Sequence, residues 1–195
     1  RPGPVLVEIP ADLAVTEVDC GLPETYSTTP KTSSQGDPRD IEAAATALIH
    51  AENPIILAGQ GVLYAEATSE LVELAELLQI PVMTTMAGKS GFPEHHSLAL
   101  GSGSGVMSRP VHRFLSQADV ILAIGTSLTK HGMTTTIPDR KVIIQATNDP
   151  IDIGKDYWID HPIVGDAKAV LRQFIDATSD MVVMGDRKSQ EHVGA

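Results

Sequence analysis

The sequence predicts an α/β protein: a three-layer α/β/α sandwich around a mostly parallel sheet of five to six strands. Three observations carry this prediction. Short apolar runs without polar alternation recur at 55–58 (IILA), 119–125 (DVILAIG) and 141–146 (KVIIQA), the mark of strands covered on both faces. Stripes of apolar residues at helical spacing lie between such runs, so strand and helix alternate at least four times. That alternation favours parallel pairing through right-handed crossovers.

Taken in order, residues 1–10 (RPGPVLVEIP) hold a short strand at 5–9 bracketed by prolines and a glycine. Residues 11–36 are rich in Thr, Ser, Pro and acids and have no sustained period, as in a linker or wrapping segment. Asp37-Pro38 caps and starts a helix that places Ile41, Ala44, Ala45 and Leu48 on one stripe and ends near Asn53. The strand opened by Pro54 runs into Gly59-Gln60-Gly61, where glycine lets the backbone turn sharply. Residues 65–79 then form one amphipathic helix, with Leu71, Leu74, Ala75 and Leu78 inward and Glu70, Glu73, Glu76 and Gln79 outward.

A strand at 81–85 (PVMTT) is followed by a loop over 88–94 and, at 100–105 (LGSGSG), by a second flexible turn. Ser108 and Pro110 start a short helix carrying Val111, Phe114 and Leu115 inward. After the strands at 119–125 and 141–146, Asn148-Asp149-Pro150 makes a turn, with Tyr157 and Trp158 beyond it packing that loop on the domain or against another one. Ile163 and Val164 form a last short strand, Asp166 caps a helix bearing Ala167, Val170, Leu171 and Phe174, and residues 179–195 lose the pattern and fray.

Composition narrows the function. A chain of 195 residues, 42% hydrophobic, suits one globular domain with flanking segments. Net charge of −11 argues against a nucleic-acid or anionic-membrane surface, because both need clustered Lys and Arg. No apolar run is long enough for a membrane span, and no secretion signal is read at the N-terminus. Cys20, the single cysteine, cannot make an internal disulfide, which fits a reducing, cytoplasmic setting.

In a parallel sheet the ligand sits beyond the carboxyl ends of the strands. Here those ends are Gly59-Gln60-Gly61, Thr84-Thr85, Gly125-Thr126-Ser127 and 147–149 with Asn148 and Asp149. Three of these four ends offer neutral hydrogen-bonding groups suited to phosphate, ribose or a heterocycle, and equally suited to solvated turns. The spacing from Gly59 through Gly61 to Ala65 approaches the dinucleotide fingerprint, in which backbone N–H groups receive a pyrophosphate. Small residues packing a strand-to-helix turn would read the same way. Gly101 and Gly103 lie in a turn that could cradle an anion or simply be mobile. None of the seven histidines forms an i, i+4 pair with a supporting Glu, so no metal ligand set is read. No G-x-S-x-G elbow is present and Cys20 is no credible nucleophile, so no catalytic residue is assigned.

RPGPVLVEIPAD, NPIILAGQG, LAELLQIPVMTT, ADVILAIGTSL, NDPIDIGK and HPIVGDAKAVL, in that order and spacing, resemble the central domain of thiamine-diphosphate-dependent enzymes of the acetolactate synthase, pyruvate oxidase and decarboxylase group. The resemblance extends to about residue 176. It implies a Rossmann-like sheet of the DHS-like NAD/FAD-binding domain type. Residues 1–36 would end a preceding pyrimidine-binding domain and its linker, 37–178 would be the central domain, and 179–195 a C-terminal linker. It also implies a non-catalytic piece of a longer carboligase or decarboxylase, a homodimer or homotetramer whose thiamine diphosphate and Mg2+ are bound by other domains of the same polypeptide.

The Gly-Asp-Gly signature of the diphosphate domain is absent: Gly165-Asp166 is followed by Ala and Gly185-Asp186 by Arg. A strand at 5–9 without its parent sheet is expected to be disordered or borrowed by a neighbouring molecule. In some members the central domain holds FAD or an ADP-like nucleotide at positions matching Gly59, Gly61, Thr84, Thr85, the 101–105 turn and Gly125. Where the flavin-binding synthases carry glycine, an apolar residue and arginine, this chain has Gly125-Thr126-Ser127, and Thr147 stands where they place an aspartate. Each charged partner so lost is worth about 1.5–3 kcal/mol. A self-standing nucleotide- or flavin-binding module is the competing reading. An NAD-dependent deacylase is disfavoured, since such enzymes use four zinc cysteines.

Overall fold

The computed structural model describes residues 3–17, 19, 21, 27, 28, 30 and 32–189, in two compact units, Arg1–Thr32 and Ser33–Ala195. Cys20 and His192 lie outside the described residues. Among the described residues of the first unit the only regular element is a short helix, α1 (Ala11–Ala14). The strand expected over 5–9 does not form: Val5, Leu6, Val7 and Ile9 are exposed coil. A lone strand leaves its ladder groups to water and has no stability of its own.

The second unit contains α2 (Pro38–Ile49), β1 (Ile55–Ala58), α3 (Gln60–Tyr64), α4 (Thr68–Leu78), β2 (Val82–Thr85), β3 (Ala99–Gly103), α5 (Arg109–Gln117), β4 (Val120–Ile124), β5 (Val142–Thr147), β6 (His161–Val164) and α6 (Ala167–Ser189). The six strands form one sheet in the order β3-β2-β1-β4-β5-β6, and every pair is parallel. The expected α/β sandwich is therefore present. Its strand order reverses between β1 and β4, which creates a topological switch point.

Strand residues alternate between the two faces. Ile56, Ala58, Leu122, Ile124, Ile144, Ala146 and Ile163 pack on one side with α2, α4 and α6, around the fully buried Phe174. Ile55, Leu57, Ile121, Ala123 and Ile143 face the other side, covered by Val111 and Leu115 of α5 and by Leu128 and Ile137. That second layer is one helix plus irregular chain, because the connection from β4 to β5 carries no helix.

Several elements depart from expectation. The helix expected over 65–79 is broken at Glu66, whose φ of 54° is left-handed. Glu70, placed on the solvent stripe by its spacing, is instead buried. Burial pushes its carboxyl up, but its own backbone N–H, the Ser69 hydroxyl at 2.9 Å, and Lys168 and Arg172 from α6 together hold it below the ordinary value. The 100–105 turn is an edge strand through Gly103, since pairing with β2 occupies its backbone groups. Phe114 is 40% exposed: only the i, i+4 pair Val111 and Leu115 reaches the sheet. Helix α6 continues past 178 to Ser189.

Caps follow the sequence closely. Asp37 accepts from Arg39 N at 2.9 Å, Ser108 from Val111 N, and Asp166 from Lys168 N at 3.1 Å. Lys141 Nζ donates to the carbonyls of Ser116 and Ala118 where α5 ends. Asp119 ties the entry of β1 to that of β4, accepting from Glu52 N at 2.7 Å, Asn53 N at 2.9 Å and Val120 N at 2.9 Å. Partial burial pushes its carboxyl up, yet these backbone donors outweigh it and leave the pKa lowered.

Asp119→Asn is therefore expected to cost about 1–2 kcal/mol at neutral pH, because a neutral amide oxygen cannot serve the same donors. The depressed folded-state pKa means the Asp119 contribution is complete above the unfolded-state value and is lost as pH falls through the folded one. Urea denaturation of both proteins along an acid series checks this: the gap between them should close at low pH, and a constant gap contradicts it.

Candidate functional site

All six carboxyl ends lie on one edge of the sheet because all strands are parallel. At the switch point two loops meet backbone to backbone. Gly59 N donates to Ile124 O at 2.9 Å and Gly61 N to Gly125 O at 2.8 Å. Gly125 takes φ +64° and donates to Ala146 O at 2.8 Å. A Cβ on Gly59 would sit 2.3 Å from Gly125 O, so glycine here is required by the close approach of two chains. The N–H groups of Gly59 and Gly61 are thus spent on backbone carbonyls, while Gln60 between them is exposed.

The remaining residues singled out from the sequence divide into neighbouring groups along the edge. Gln60, Thr126 and Ser127 join the glycines at the switch point. Thr126 Oγ1 accepts from Leu128 N at 3.3 Å, and Ser127 Oγ lies 3.1 Å from Thr129 Oγ1. On the β2–β3 side, Thr84 Oγ1 lies 2.9 Å from Ser102 Oγ, between Gly101 and Gly103, and Thr85 Oγ1 accepts from Gly88 N at 3.0 Å. At the end of β5, Asp149 Oδ1 accepts from Ile151 N at 3.1 Å, capping a 3-10 turn over Pro150–Asp152, while Asn148 and Gln60 are exposed.

Three participants escaped sequence reasoning. Gln145, fully buried, donates from Nε2 to Thr126 O at 3.3 Å and Asp152 O at 3.0 Å and accepts from Gly154 N at 3.3 Å. It fastens the loops after β4 and β5 to each other. Its signal was legible: one carboxamide inside an otherwise apolar run. Asp152, also buried, accepts from Thr147 Oγ1 at 3.5 Å, so the carboxylate at this strand end is turned inward. Thr135 Oγ1 is the one buried side-chain polar atom without a hydrogen-bond partner among the described residues, and it faces Gly103.

Two cations near this edge are also engaged. Lys130 Nζ stands 4.1 Å above the Tyr157 ring, and Lys89 lies 3.5 Å from Glu94. Tyr157 itself packs inward, its hydroxyl accepting from Ile137 N at 3.1 Å, whereas Trp158, expected to share that packing, is 84% exposed. Among the described residues no group of three or more His, Cys, Asp and Glu could hold a metal ion. The donor set therefore does not fit a magnesium diphosphate, and the switch-point residues Gly59, Gln60, Gly61, Gly125, Thr126 and Ser127 themselves supply no cation.

Comparison with known proteins supplies the context. The family described as thiamine pyrophosphate enzyme, central domain, matches residues 41–174. A probable acetolactate synthase large subunit of Methanococcus aeolicus is 38% identical over 194 residues, covering 96% of this chain and 32% of the relative. Glyoxylate carboligase of Escherichia coli O157:H7 is 33% identical over 191 residues, 95% of this chain and 32% of the relative. The crystal structure of benzoylformate decarboxylase from Polynucleobacter necessarius superposes with a TM-score of 0.63 at 22% identity, over 81% of this chain and 30% of that one. The chain thus spans about a third of the length of the relatives it matches.

Proposed function

The chain belongs to the thiamine pyrophosphate enzymes as their central domain, and on that premise we propose that it is the non-catalytic, structural middle layer of a carboligase or decarboxylase of acetolactate synthase type. Residues 37–178 form that layer, residues 1–36 lead into it from a pyrimidine-binding domain, and 179–195 lead out. Thiamine diphosphate and Mg2+ are bound by other domains of the same polypeptide, in a cytoplasmic homodimer or homotetramer.

One observation carries the structural reading. Most of the groups that a nucleotide would use at the switch point are bonded within the protein: Gly59 N to Ile124 O, Gly61 N to Gly125 O, Thr126 to Leu128 and Ser127 to Thr129, with Gln60 left exposed between the glycines. A ligand there would have to break these bonds and replace each with one of similar worth, so the net gain is small. The sheet edge is accordingly a clamp between loops, without a resident FAD or ADP-like nucleotide. Titrating the purified chain with FAD and with ADP while following its melting temperature tests this. No shift is expected, and a saturable rise with either would instead support a self-standing flavin- or nucleotide-binding module.

A further inference from the structure

Among the described residues of the second unit, the exposed large apolar side chains other than Phe114, Trp158 and Val164 share one placement. Tyr64 follows β1, Met86 follows β2, Val106 follows β3, Met133 follows β4 and Ile151 follows β5, so each of the first five strands leads at its carboxyl end to one. The last four are 59%, 86%, 77% and 80% exposed. Val106 and Met133 belong to loops that touch, since Gly105 N donates to Met133 O at 3.3 Å. Charge follows this geography after β1 to β4 and not after β5, where Asp149, Asp152 and Asp156 flank Ile151. Segments 59–65, 86–93, 104–108 and 125–138 contain no Asp or Glu, in a chain with 25 acidic residues and a net charge of −11.

Depletion of carboxylates with enrichment of Met and Tyr is the composition of the core of a protein–protein interface. Resting on the central-domain reading above, we infer that the part of this edge formed by the loops after β1 to β4 is the face on which another domain of the same longer polypeptide docks, with Met86, Val106 and Met133 as its apolar contacts. The occupant is a protein surface. Relatives are about three times as long as this chain, so two thirds of such a polypeptide lies outside it. Of the polar groups at the switch point, those of Gly59, Gly61, Thr126 and Ser127 are bonded internally, and the exposed Gln60 side chain can add a polar contact to the apolar ones.

Hydroxyl-radical footprinting read by peptide mass spectrometry, on the 195-residue chain and on the full reading frame that encloses it, tests the inference. Labelling of Met86 and Met133 should fall several-fold in the longer protein. Met133→Glu should lower the melting temperature of the longer protein while leaving that of the chain alone unchanged. Equal labelling in both overturns the docking face, as does protection already present in the chain alone on adding FAD or on raising its concentration, which would assign the edge to a flavin or to a second copy. A longer protein with thiamine-diphosphate-dependent turnover but unprotected methionines keeps the domain assignment and overturns only this inference. A reading frame with no further domain overturns both.

Discussion

Gly59→Ala is expected to destabilise the domain by about 3 kcal/mol, at the upper end of what an overpacked methyl costs. The backbone at Gly59 is ordinary, with φ −98°, so the effect is not conformational strain. It comes from contact. The new Cβ would stand 2.3 Å from Gly125 O, 2.6 Å from Thr126 Cβ and 2.8 Å from Gly125 C. Two of those atoms are backbone and cannot swing away. Relief requires the loops after β1 and β4 to separate, which breaks the bonds from Gly59 N to Ile124 O and from Gly61 N to Gly125 O. For a domain of this size the penalty corresponds to a fall in melting temperature of about 6–12 °C. A variant that melts within a degree or so of the parent would show that the two loops are not locked together.

Gln145→Leu is expected to cost about 3 kcal/mol despite replacing a buried polar group by an apolar one of similar size. The usual gain from such a swap needs both partners to be removed, and here the partners are backbone. Thr126 O, Asp152 O and Gly154 N stay behind without the carboxamide that joined them. Chemical denaturation measures the loss. Hydrogen exchange locates it: the Gly154 amide should exchange faster while amides in β1 and β4 are affected only through global stability. Unchanged exchange at Gly154 would contradict the fastening role.

Much of this architecture could be read without coordinates because parallel strands covered on both faces must be apolar throughout. IILA, VILAI and the apolar part of β5 announce themselves that way. β3 does not. Its ALGSG has no side-chain signal, and it is a strand only because β2 supplies a parallel partner, with Thr84 and Ser102 in hydrogen-bond contact. Glu70 was misplaced for a similar reason. Its neighbours Lys168 and Arg172 come from a helix about a hundred residues later, and no local period encodes them.

At the candidate site the positions were legible and their use was not. Gly59, Gly61 and Gly125 were visible as turn glycines, but whether such glycines admit a phosphate or another loop depends on where their N–H groups point. That is decided by the pairing of β1 with β4, two elements sixty residues apart in sequence and adjacent in the sheet.

The most direct test of a self-satisfied sheet edge is a calorimetric and thermal-shift titration of the purified chain with FAD, followed across the flavin absorbance bands. The chain is expected to carry no flavin, show no binding heat and melt at the same temperature throughout the titration. A saturable stabilisation approaching about 2.7 kcal/mol at a hundredfold excess over the dissociation constant would contradict it.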